Sequence, residues 1–197
     1  MMIWGAVLLA IVCWAFTFGL AWGNFWVKIG LSVILICAYS FYWQKPKINI
    51  SLTSVFLGIL SAVVLYGIFY LGFVLSPYIV PGATSQVGGI YNMGIHTDAR
   101  LIFLLLLLVT GPGEEIFWRG FLQERLMGQY GNIAGFLLTT FIYGSIHIFS
   151  LNFMLTMAAY VAGAFWGALY LWKRDLTMVI VSHSLWSAVI FAIFPVH

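Results

Sequence analysis

The chain has 197 residues, of which 63% are hydrophobic and 7% charged, with a net charge of +3 and a mean hydropathy of +1.07. Soluble domains carry charge on about a quarter of their residues, so this composition excludes one and indicates a single integral membrane domain, 1–197. Eight basic residues scattered between apolar runs form no basic stripe, which excludes nucleic acid as a partner and leaves the lipid bilayer.

Crossing about 30 Å of hydrocarbon takes about 20 apolar residues. On that measure the chain predicts an all-α, polytopic transmembrane helix bundle of about seven spans. The opening stretch "MMIWGAVLLAIVCWAFTFGLAW" lacks a basic n-region, and its apolar run exceeds the roughly 7–15 residues of a signal peptide. It reads as a retained first span, 2–22. The second span is 25–43, and the polar break "QKPK" at 44–47 separates it from a third at 50–75. Cys13 and Cys37 lack CxxC spacing and read as small buried hydrophobes.

The Gly- and Pro-rich segment 76–99 is the one long connection, expected to lie along the membrane surface or to cap a cavity. Spans at 100–127, 132–149, 152–172 and 176–194 follow, the last two parted by "KRDL" at 173–176. Gly163 and Gly167 form a GxxxG suited to close helix packing. Phe117, Trp118, Met154, Met157 and Met178 read as packing residues, and the nine tryptophans mostly suit interfacial belts.

A cytoplasmic N-terminus puts Lys45, Lys47, Arg125, Lys173 and Arg174 on the inner side, with Lys28 and Arg100 opposite. That follows the positive-inside bias and predicts a multi-pass protein of the cell membrane.

Within these spans, "GPGEEIFWRG" at 111–120 places charge where it costs at least about 2.5–3.5 kcal/mol. Glu115 and Arg119, four apart, share a helix face and can neutralise each other. Glu114, turned about 100° away, is free to meet other helices. The preceding "GPG" is expected to kink the helix beside a cavity. At 1.5 Å per residue, Glu114 lies about 17 Å from Arg125, His147 about 22 Å from Asn132, and His183 about 12 Å from Asp175. Three helices thus bring ionisable groups to one slab near mid-membrane, where such groups face the bundle interior.

That set suits amide hydrolysis. A carboxylate can take a proton from water, one imidazole can orient that water, and another can bond the developing oxyanion. No Ser/His/Asp arrangement is as well placed: Asp98 and Asp175 sit at helix ends, and Ser145 lies on a different face from His147. His96 and His197 read as solvated. A second use of the same atoms stays open, because Glu114, His147 and His183 also match a zinc-type ligand set with a vacant position.

The motifs resemble those of the CAAX protease and bacteriocin-processing family of intramembrane endopeptidases, the abortive-infection-like proteins. "EEIFWRG" is similar to its EExxxR motif, "YGSIH" (143–147) to FxxxH, and "HSLWS" (183–187) to a His followed four residues later by Asn or Asp. The likeness makes residues 100–194 the catalytic core, with 1–75 free of motifs as is usual there. It implies that Glu114 and His147 activate water, that His183 and Ser187 stabilise the oxyanion, and that Glu115 and Arg119 support the site. Tyr143 replaces the family's Phe. Ser187 replaces Asn or Asp, and its hydroxyl reaches less far than an amide.

The reading is an intramembrane endopeptidase, glutamate-type or metallo, acting on a membrane-associated peptide or protein. Its rivals are a non-catalytic membrane binding or immunity protein, which Ser187 motivates, and a proton-coupled transporter, which the lack of evident inverted repeats disfavours.

Overall fold

A computed structural model describes residues 2–93 and 96–196, so the expectation for His197 lies outside the described residues. All regular structure among them is helical. In chain order these are α1 (Met2–Gly19), α2 (Phe25–Trp43), α3 (Leu52–Ile79), α4 (Ala83–Asn92), α5 (Ala99–Tyr130), α6 (Asn132–Ser150), α7 (Phe153–Lys173) and α8 (Leu176–Ala192). Six of these are long and apolar enough to cross a membrane, and α8 is a shorter apolar helix. The bundle is therefore polytopic, with about seven spans.

Polar residues punctuate it. Asn24, Ser51, Asp98, Asn152 and Asp175 each accept a backbone N–H at the start of a helix, satisfying donors that have no partner within the first turn. The two aspartates are thus caps, as their positions at helix ends predict. Between α5 and α6 the chain reverses at Gly131, whose φ of 86° is open to glycine and strained for other residues.

α3 runs four residues past its expected end, through Pro77. Proline has no N–H to offer the Phe73 carbonyl; the Ser76 hydroxyl donates to it instead, at 3.0 Å. The segment after α3, expected as one long connection, contains the helix α4.

The most consequential helix is α5. The chain stays helical across "GPG". The helix widens into π turns on either side, Leu106–Thr110 and Trp118–Gln123. Such turns release carbonyls from the regular ladder. One of them, on Gly120, accepts from Gln44 Nε2 at 2.8 Å, while Arg125 Nε donates to Gln44 Oε1 at 2.7 Å. The "QKPK" break is thereby clamped to the end of α5.

The two glycines let α5 approach neighbours on different sides. A methyl on Gly111 would run into Ser184 of α8, backbone included, and one on Gly113 into Val33 of α2. Gly111→Ala is expected to destabilise the protein by about 1–3 kcal/mol, read as a lower unfolding temperature in detergent. Gly67→Ala, with open space around it, should be neutral or stabilising.

The main core gathers α1, α2, α5 and α6 around Trp14, Phe117, Trp118, Phe121 and Leu122. α8 lies between α3 and α5, and α6 packs along α7. Cys13 is buried within the core, Cys37 is partly buried, and both are free thiols.

Candidate active site

α5 presents its acids in two directions. Arg119 Nη1 donates to Glu115 Oε1 at 2.7 Å, with both side chains almost wholly buried. Arg119 Nη2 donates to the Gly163 carbonyl of α7 at 2.9 Å, and one turn on, Gln123 Nε2 donates to the Gly167 carbonyl at 2.9 Å. The GxxxG of α7 therefore does more than permit close packing, since its carbonyls receive the polar face of α5. The guanidinium also stands over the Tyr143 ring at 5.0 Å and the Trp166 ring at 5.6 Å, in cation–π range.

Glu115 has a second partner. His183 of α8 directs Nδ1 to the same Oε1 at 2.6 Å, and its ring stacks on Trp166 with centroids 3.7 Å apart. One carboxylate oxygen thus joins the cation of its own helix to an imidazole of another, and Nε2 is the ring nitrogen left for other work.

His147 lies where α6 tightens into a 3-10 turn, Ile146–Ser150. Its Nδ1 bonds the Tyr143 carbonyl at 2.8 Å, and its Nε2 accepts from Trp14 Nε1 at 3.2 Å. Trp14 belongs to α1, where no motif drew attention to it.

Glu114, His147, His183 and Ser187 line one cavity of about 130 Å³, together with Tyr143 and Thr110. Ile90 and Met93, at the end of α4 and just after it, line it too, so the long connection contributes to the cavity wall. Glu115 and Arg119 are not on its wall; they stand behind His183. Glu114 Oε2 is buried with no hydrogen-bond partner, beside the Tyr143 hydroxyl. A buried carboxyl oxygen left unsatisfied is expensive, and this residue lies on the cavity wall.

The remaining candidates sort plainly. Ser145 bonds the Tyr160 hydroxyl at 2.7 Å, away from the cavity lining, and His96 is exposed. The expectation for the tryptophans needs correction. Trp4, Trp22, Trp43 and Trp172 are exposed, but Trp14, Trp26, Trp118, Trp166 and Trp186 are buried. All of these buried rings but Trp118 line the cavity. Large flat rings give the cavity an apolar wall, while an indole N–H can still donate, as Trp14 does to His147 and Trp166 to Ser182.

The zinc-type set does not fit as arranged. His147 Nδ1 is on the Tyr143 carbonyl and His183 Nδ1 on Glu115, which leaves each ring only its Nε2. Among the described residues no three His, Cys, Asp or Glu side chains gather as a ligand group.

Sequence reasoning missed Trp14, Trp166, Thr110 and Gln123. Only Gln123 left a signal, at one further turn along the face of Glu115 and Arg119.

No curated protein and no solved structure matches the chain. Residues 96–189 match the family model described as type II CAAX prenyl endopeptidase, Rce1-like. That segment, just under half of the chain, holds Glu114, Glu115, Arg119, His147, His183 and Ser187, and over it the chain is similar to the Rce1-like type II CAAX prenyl endopeptidase family.

Proposed function

We propose that this chain hydrolyses a peptide bond of a membrane-associated protein or peptide, with a catalytic core over 100–194. Water in the cavity is activated by Glu114 and His147. The single observation that carries this reading is Glu114, a buried carboxyl with one unsatisfied oxygen, on the wall of a cavity shared with two histidines.

In the proposed step, His147 Nε2 orients the water and Glu114 takes its proton while the oxygen attacks the carbonyl carbon. The resulting oxyanion accepts from His183 Nε2–H, whose ring is aligned by Glu115, and from the Ser187 hydroxyl. Collapse breaks the C–N bond, and Glu114 returns its proton to the departing amine. The five inner-side basic residues support a cytoplasmic N-terminus in the cell membrane.

Purified protein in vesicles, offered membrane-associated peptides with and without a prenyl group, tests the reading. Cleavage that survives Glu114→Gln would end it.

Ser187 favours a second reading, a binding protein on the same scaffold. A short hydroxyl stands where a longer amide would reach further into the cavity. Ser187→Asn separates the two. If the chain is a protease short of one oxyanion donor, turnover rises, toward the roughly 10²–10³ that one such donor contributes. A binding protein gains nothing.

A further inference from the structure

The ring of His147 is held from its own helix only through Nδ1. The Tyr143 carbonyl can only accept, so Nδ1 carries the proton and Nε2 keeps its lone pair. An indole N–H can only donate, and Trp14 Nε1 stands at that lone pair, 3.2 Å away. The two contacts agree, and together they select one neutral tautomer and one ring orientation.

Trp14 is itself immobilised. It is fully buried, lies edge-on to Trp118 at 6.0 Å and to His147 at 5.7 Å, and Trp118 in turn meets Tyr143 edge-on at 5.1 Å. Its helix lies outside the segment that matches the family model.

We infer that Trp14 is a positioning residue for His147, recruited from the first span. Its N–H fixes the ring through the Nε2 lone pair in the resting site, and the attacking water replaces the indole at that one lone pair. The kinetic consequence rests on the role proposed above for His147, whereas the tautomer does not.

Trp14→Phe keeps most ring contacts and removes the donor. The expected result is a kcat about tenfold lower, the scale of one oriented hydrogen bond, with KM within about twofold. Trp4→Phe, at an exposed position of the same helix, should change neither. Nitrogen-15 spectra of histidine-labelled protein should show His147 as the Nδ1–H form in the wild type and as a mixture of tautomers in Trp14→Phe. A variant with wild-type kcat, or a wild-type spectrum in the Nε2–H form, overturns the inference. If the wild type cleaves no peptide, the proposed function fails and the spectra alone decide this one. If the variant does not fold, the indole nitrogen-15 signal of Trp14 in the wild type decides it: a hydrogen-bonded N–H supports the inference and a free one overturns it.

Discussion

Glu114→Gln is expected to abolish peptide hydrolysis while making the protein harder to unfold. The two effects have one cause. Glu114 is buried and Oε2 has no hydrogen-bond partner, so the fold sustains a carboxyl that is only half satisfied. An amide of the same shape removes the charge that is hardest to bury. The loss of a proton acceptor should lower kcat by about 10²–10⁴. The unfolding temperature should rise by about 2–4 °C, corresponding to roughly 1 kcal/mol in a chain of this size. Activity on a cleavable peptide and thermal unfolding in the same detergent measure both. A fall in both together would show that the carboxyl is a structural prop, and would remove it from the proposed mechanism.

Arg119→Ala is expected to do the opposite, failing first as a folding defect. The guanidinium carries bonds to Glu115 and to the Gly163 carbonyl and lies over two aromatic rings. Its removal leaves Glu115 buried with only His183 to answer it. Deleting one partner of a buried ion pair costs about 3–5 kcal/mol, a large share of the margin of a small domain. Little folded protein should be recovered, and what is recovered should unfold at lower temperature. Arg119→Lys restores the charge but not the fork that spans two acceptors, so it should recover part of the stability. An Arg119→Lys protein as stable as the wild type would show that the Gly163 contact contributes nothing.

How much of this was legible in the sequence follows from which forces leave a periodic trace. Hydrocarbon thickness fixes span length, so α2 falls on its expected limits of 25 and 43, and the other spans lie within a few residues of theirs. The Glu115–Arg119 pair was legible because four residues make one turn. The shared cavity was legible as depth, from three separate helices. Rotation about a helix axis leaves no such trace between helices. The turn of α8 that brings His183 onto Glu115, in place of any other neighbour, appears only once α3 and α5 have closed on it. Trp14 was invisible for a related reason, since an apolar ring in an apolar span looks the same whether it meets lipid or a histidine. The continuity of α5 through "GPG" depended on accommodating the missing proline N–H, and the π turns that flank it have no composition of their own.

The paired bonds from Arg119 to Gly163 and from Gln123 to Gly167 have a consequence for assembly. In hydrocarbon, two smooth helices can slide past each other at little expense, because lipid tails attract a side chain about as well as another helix does. Two rungs spaced by one turn act as a vernier. Slipping α7 by four residues would align one rung and strand the other, leaving either a guanidinium or an amide without its acceptor. The axial offset of α7 is set by this ladder, and with it the position of Trp166, the floor on which His183 rests.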